Sequence, residues 1–294
     1  MKKIVIAGGN GFIGQYLEQK FRQLNYTVVI ISRQKGFVNW NDHHGITEAL
    51  NGAEMVINLA GKSVNCRYTE KNKVEILTSR TGTTRALGEA IQRCTDPPKL
   101  WVNAGTATIY RHAEDRPMTE STGEIGEGFS VNVAKAWEQS FFNFCLQDTR
   151  QALLRIAIVL GKDAGVMKPL KNLVRFGLGG KQGKGDQMFS WIHIEDLFSV
   201  LQFLKDHDDL NGIFNCASPN PLPNKIFMKK LREHMHVKPG LPSPKWLLKP
   251  GAILIGTETE LVLKSRWVLP EKLINKGYVF LYPAIDSALN ELIQ

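Results

Sequence analysis

Short runs rich in isoleucine and valine alternate with longer stretches of helical spacing through the first half of the chain. Lys3–Ala7 reads as a buried strand, Gly11–Leu24 as a helix and Thr27–Ser32 as a second strand. Ala53–Leu59 and Leu100–Ala104 repeat the strand signal on either side of a helical stretch over 70–93. Phe129–Leu146 predicts another helix and Ala152–Leu160 another strand. Apolar runs of strand length with helical patterns between them mean βαβ units. Right-handed crossovers assemble such units into a parallel sheet covered on both faces. The expected class is therefore α/β, a doubly wound parallel sheet.

The second half changes character. Residues 161–190 are rich in glycine and poor in long apolar runs, and read as an excursion from the sheet. Trp191–Leu204 predicts a strand or loop leading into a helix, and the three prolines in Asn215–Pro223 interrupt regular structure. A proline-punctuated helical region follows from about 224 and ends in an amphipathic helix at Ala284–Ile293. We expect a first domain over residues 1–218 and a small substrate-side lobe over 219–294.

Composition adds one question. The chain has 294 residues, 43% of them hydrophobic and 22% charged, and a formal charge of +9. That excess points to anionic partners: a phosphorylated small molecule, nucleic acid or a membrane surface. The apolar run Ile4–Ala7 stops at Gly8, well short of the roughly 7–15 residues of a secretory core. No stretch reaches the ~20 apolar residues of a spanning helix. Cys66, Cys94, Cys145 and Cys216 show neither zinc-site nor disulfide spacing. These features predict a cytoplasmic protein with no membrane partner and no metal.

The chemistry enters at the first strand–helix junction. Gly8-Gly9-Asn10-Gly11-Phe12-Ile13-Gly14 places glycines at three-residue intervals there. The first permits a tight turn, the second lets a pyrophosphate approach the backbone, and the third allows close packing of helix on sheet. The helix N-terminus adds free N–H groups and a positive dipole. This is the signature of a Rossmann-type dinucleotide site. NAD recognition calls for an acidic residue at the end of the second strand, but here stand Ser32 and Arg33, with no carboxylate before Asp42. A guanidinium beside a hydroxyl suits a 2′-phosphate, so NADP(H) is expected over NAD(H). Asn58-Leu59-Ala60-Gly61 closes another strand with small residues, leaving room for cofactor.

With these segments and Thr106-Ala-Thr-Ile-Tyr110, the chain resembles the extended, atypical short-chain dehydrogenase/reductases, more closely the "epimerase family" proteins with a characteristic C-terminal domain. Ala136-Trp137-Glu138, Trp191-Ile-His-Ile-Glu-Asp196 and Gly277-Tyr-Val-Phe280 share in the resemblance, which spans the whole chain. It implies a serine or threonine, a tyrosine, and a lysine four residues after the tyrosine, acting on a carbonyl or sugar beside the nicotinamide. Thr106 falls at the first position and Lys135 at the lysine, near the nicotinamide ribose. Four residues before Lys135, however, stands Val131, which transfers no proton. Tyr110 and His193 are the candidate stand-ins.

Two basic blocks remain. Lys162, Lys168, Lys171, Arg175, Lys181 and Lys184 face only Asp163 in charge, and would suit an anionic small-molecule substrate. The block from Lys225 to Lys249 has no assigned partner. Two functions stay open: an NADP(H)-dependent oxidoreductase or epimerase, and an NADP(H)-binding sensor or scaffold without turnover. Nucleic-acid binding is disfavoured, since no recognition motif accompanies the charge; a homodimer is compatible with the sequence.

Overall fold

The computed structural model describes residues 2–238, 240–242 and 264–293. Six parallel strands form the main sheet: β1 (Lys3–Ala7), β2 (Thr27–Ile31), β3 (Met55–Asn58), β4 (Leu100–Thr106), β5 (Arg150–Ile156) and, as the last, Gly212–Cys216. That last strand lies beside β5, and the spatial order from it runs through β5, β4, β3 and β1 to β2. The chain thus leaves β1 in one direction to make β2, then crosses back over β1 to make β3. The resulting switch point, between the C-terminal ends of β1 and β3, is where a cleft opens in sheets of this kind.

Alternation along the strands builds two cores. Ile4, Ile6, Ile30, Ile57 and Val102 face a layer containing Leu17 and Phe21 of α1 (Phe12–Gln23). Val5, Ala7, Ile31, Val56 and Trp101 face the other way. There they meet α2 (His43–Leu50), α3 (Glu70–Arg93) and α4 (Phe129–Phe142) through Ile46, Leu87 and Phe141. A period-two strand buried on both faces must be apolar at every position, which is why these runs read so clearly.

Two expectations change. The run Ala152–Leu160 is two strands: β5 ends at Ile156, and β6 (Ile158–Gly161) joins a separate three-stranded sheet with β7 (Ala164–Gly165) and Trp191–His193. The break follows Ala157, whose N–H makes the last bond to the Gly212–Cys216 strand, at Cys216 O (3.0 Å), while Ile158 N bonds instead to Ser190 O at 3.3 Å. Continuous apolar character hides such a change of sheet. Gly212–Cys216 also supplies a strand that the sequence pattern does not predict, running into the proline-interrupted segment that begins at Asn215. In chain order the short Met188–Phe189 is β8, Trp191–His193 is β9 and Gly212–Cys216 is β10.

The 161–190 stretch contains α5 (Met167–Arg175). Beyond α6 (Ile194–Asp206) come β11 (Leu222–Pro223), α7 (Asn224–His234), α8 (Glu271–Asn275) and α9 (Ile285–Ile293). Leu170, Phe227, Leu231 and Leu289 join α5, α7 and α9 in one apolar cluster. Leu273, Tyr278 and Phe280 instead return to the first core, packing with α1 and α6.

Candidate functional site

A cleft lies over the C-terminal edge of the sheet, in two connected parts. The inner part is a cavity of about 400 Å³ lined by Gly8, Gly11, Phe12, Thr106, Ser130 and Trp137 among others. The outer part runs past Asn10, Ser32, Arg33, Ala60 and Gly61. Gly8, Gly11 and Leu59 border both.

The glycines show what fits there. Gly8 has φ +78°, and a Cβ on it would come within 2.7 Å of Ala60 Cα. On Gly14 a Cβ would lie 2.5 Å from Gly9 Cα, so α1 packs against the turn at backbone distance. Gly11 differs: a Cβ there would meet only Gly8 O, at 3.8 Å, and otherwise enter the cleft. No side chain caps the N-terminus of α1, and its first turn carries no acid. Its orphan N–H groups and dipole therefore face the groove, as an anionic pyrophosphate requires. These residues fit a dinucleotide.

Asn58 shapes the opposite wall from below. It is fully buried, donates to Asn103 Oδ1 at 2.6 Å and Thr84 Oγ1 at 3.1 Å, and accepts from Ala60 N at 3.1 Å. It holds the Leu59–Gly61 turn and does not itself line the cleft. Ser32 is buried and accepts from Asn10 Nδ2 at 2.8 Å, tying the glycine turn to the end of β2. Arg33, beside it, is exposed on the outer groove.

At the inner end Thr106 lines the cavity at the tip of β4. Its Oγ1 accepts from Thr108 N at 3.1 Å, leaving the hydroxyl proton to donate outward. Helix α4 turns a different face to the cavity from the one its sequence suggests. Phe129, Ser130, Val133, Ala134 and Trp137 line it, whereas Val131 is fully buried and Lys135 is exposed outside the lining. The pairs four residues apart on the cavity face are Phe129 and Val133, Ser130 and Ala134, and Val133 and Trp137, none of them a tyrosine with a lysine. A one-residue shift rotates a helical position by about 100°, enough to carry Lys135 off the cleft.

The two candidate stand-ins are also elsewhere. Tyr110 is 2% exposed and outside the cavity lining. Its hydroxyl donates to Asn215 Oδ1 at 2.8 Å and accepts from Arg155 Nη1 at 2.9 Å. Burial raises its pKa against the opposing pull of Arg155. Arg155 in turn makes a two-pronged pair with Glu138, 2.8 Å on each side. His193 is 1% exposed, pairs with Glu291 at 3.0 Å and lies against the Tyr282 ring. Burial pushes its pKa down, with Glu291 pulling the other way. Nearby Asp196 accepts from the N–H groups of Leu281 and Tyr282. The segment around His193 thus fastens the C-terminal residues to the sheet.

The cavity also contains Tyr68 and Arg80, to which the sequence assigned no role in the site. Tyr68, just before α3, packs edge-on against Phe129, with its hydroxyl 3.5 Å from Ser130 Oγ. Arg80, on α3, lies over the Trp137 ring at 5.1 Å. For Arg80 the signals were the family resemblance of the Ser79-Arg80 segment and the periodicity of α3, which turns Ile76 and Arg80 toward one side. None of the basic residues between 162 and 185 lines either part of the cleft; Lys171 is buried against Asp163 at 2.7 Å. Of the second basic block, Lys245 and Lys249 lie outside the described residues, while Lys225 pairs with Asp186.

This combination of doubly wound sheet, switch-point cleft and glycine turn defines a nicotinamide-dinucleotide-binding protein. The chain belongs to the NAD dependent epimerase/dehydratase family, whose model matches residues 4–217. Residues 243–292 match a domain of unknown function, DUF1731. Epimerase family protein YfhF of Bacillus subtilis is 32% identical over 99% of this chain and 97% of its own. The crystal structure of human epimerase family protein SDR39U1 with NADPH has a TM-score of 0.88 at 27% identity, covering 99% of both chains. A nucleoside-diphosphate sugar epimerase from Corynebacterium glutamicum gives 0.79 at 26%, across 99% of this chain and 58% of that one. Among the described residues no helix is long and apolar enough to cross a membrane.

Proposed function

We propose that the chain binds NADP(H) along the two-part cleft and acts as an oxidoreductase or epimerase on a small carbonyl or sugar-type substrate. The observation that carries this is the continuity of the cleft from Arg33, past the glycine turn, to Thr106. Arg33 would meet the 2′-phosphate, with Ser32 and Asn10 fixing the turn beside it. The human relative was crystallised with NADPH, which supports the same choice. When bound, the nicotinamide supplies hydride chemistry at the inner end. There Thr106 has a hydroxyl proton to offer a substrate oxygen, and Ser130 and Tyr68 add two further hydroxyls.

In this reading the active site is atypical, because no Tyr-x-x-x-Lys pair stands on the cavity face of α4. The residues at that spacing are Phe129 and Val133, Ser130 and Ala134, and Val133 and Trp137. Acid–base groups typically contribute ~10²–10⁴-fold to rate, so slow chemistry is expected. That feature also favours the second reading, an NADP(H) binder without turnover. Residues 1–218 would form the cofactor-binding unit, with 161–190 as its excursion and 219–294 as the substrate-side lobe. Four free cysteines support a cytoplasmic setting.

The test is titration with NADPH and NADH, followed by a carbonyl panel. NADPH is expected to bind more tightly, and Arg33→Ala to lose about tenfold for NADPH with little change for NADH. Turnover lost in Thr106→Ala supports the enzyme. Binding without turnover across the panel supports the sensor, and equal affinity for both cofactors removes the role given to Arg33.

A further inference from the structure

Arg80 is an unusual residue to find in the inner cavity. Among the described residues lining it, Arg80 is the only one with a formal charge, and none is a carboxylate. No ion pair to Arg80 exists among the described residues either. Its Nη1 donates to Lys62 O and Ile76 O, both at 3.0 Å, which fixes the guanidinium plane and leaves Nε and Nη2 without an acceptor among the described residues. Trp137 supports one face, and a Cβ on Gly61 would lie 3.1 Å from Arg80 Cζ, so the head group is wedged in place. Burial draws its pKa down, opposed by Tyr68 and Cys66 but by no carboxylate. A half-buried cation with unused donors, facing a mostly apolar wall, gains from an anion that completes it.

Positive charge gathers at the same rim. Thr108, which also lines the cavity, accepts from Arg266 Nε at 3.1 Å and from Lys264 Nζ at 2.8 Å. The remaining wall is apolar, with Val64, Ile76, Phe129, Val133, Trp137 and Ile156. Against it stand three aliphatic hydroxyls, Tyr68 and Arg80. A sugar ring needs a partner for each hydroxyl it buries, and this wall offers few.

We infer that Arg80 anchors the acid group of an otherwise apolar substrate, a small hydrophobic carboxylic acid, beside the cofactor. The inference rests on the proposed function for its setting, and it narrows the substrate class from sugars towards apolar organic acids. A carboxylate would take two parallel N–H donors from Nε and Nη2 while its body fills the space between Phe129 and Ile156. Phosphate esters share this chemistry and form a second arm of the test.

NADPH-saturated protein is titrated calorimetrically with benzoate, phenyl phosphate, the neutral isostere benzamide, and UDP-glucose. Benzoate or phenyl phosphate is expected to bind at least about tenfold more tightly than benzamide. Arg80→Met should abolish that preference while leaving NADPH affinity within about threefold, and Arg80→Lys should restore part of it. Whichever acid binds more tightly names the head group. Equal binding of benzoate, phenyl phosphate and benzamide overturns the inference, as does an anion preference that survives in Arg80→Met. UDP-glucose binding more tightly than every aromatic probe also overturns it. So does a tenfold loss of NADPH affinity in Arg80→Met, which would assign the arginine to the cofactor. If the wild type binds no NADPH, the proposed function fails, and the same acid-to-amide ratio on the protein alone decides the inference separately. Arg80→Lys and benzamide keep the test valid should Arg80→Met fold poorly.

Discussion

The cleft and the buried network beside it both draw on β5 and α4, yet they use their residues in opposite ways. The cleft is made of glycine backbone and apolar side chains, with a few hydroxyls and one fixed guanidinium. The network collects the groups a chemist would look for, Glu138, Arg155, Tyr110 and Asn215, and spends them on one another. His193 and Asp196 do the same for the C-terminal segment. A titratable side chain in a family motif is thus no guide to the active site by itself. What separates the two regions is whether the hydrogen-bonding capacity is already used.

The sharpest way to break this contrast is to block the cleft. Gly8→Val places a β-branched residue at φ +78°, with Ala60 Cα inside contact distance. We expect NADPH affinity to fall beyond about 100-fold, read by fluorescence titration, with a backbone cost of about 1–3 kcal/mol. Retention of near wild-type affinity would mean that the turn does not carry the pyrophosphate.

The network should fail in stability and not in binding. Arg155→Met leaves Glu138 buried and unpaired, at an expected cost of about 3–5 kcal/mol in urea unfolding. The double variant Arg155→Met/Glu138→Leu should recover most of that. If the single change instead abolished cofactor binding in folded protein, the separation drawn between the two regions would be wrong.

A smaller effect should appear with pH. Burial holds His193 neutral in the folded protein, below the ordinary pKa near 6.5. The unfolded chain therefore binds a proton that the folded one does not, once the pH drops through about 6.5. Stability should decrease from there towards the folded pKa, by at most about 1.4 kcal/mol per pH unit. His193→Gln should flatten that part of the profile in denaturation scans at pH 5 to 8. An unchanged slope would show that other groups govern it.

Tyr110→Phe is the mildest test. It removes one hydroxyl from Asn215 and Arg155 and should cost about 1–2 kcal/mol, with NADPH affinity unchanged. A large loss of turnover in this variant would return Tyr110 to the active site.

Much of the molecule was legible from residues alone. The strands Lys3–Ala7, Thr27–Ile31 and Leu100–Thr106 are buried on both faces through most of their length, so nearly every interior position carries the signal. The glycine turn was equally clear, because each glycine answers a local steric demand that no other residue meets. The α4 face was not. Val131 and Lys135 are spaced four apart, as are Ser130 and Ala134, and only the packing of the helix decides which pair meets the cleft. Arg80 was hidden for a related reason: a cation on a long helix looks solvent-exposed until Trp137 and Gly61 close around it.

The sequence by itself determined the parallel sheet, the dinucleotide turn and the polar pair Ser32 and Arg33 beside it. These follow from periodicity and from backbone geometry within a few residues. The tertiary structure decided which of the chemically capable side chains remain available. It buried Tyr110 and His193 in bonds to residues 105 and 98 positions away, and it left Arg80 in the cavity with Nε and Nη2 lacking an acceptor among the described residues. Availability depends on partners distant in the chain, which a local pattern does not contain.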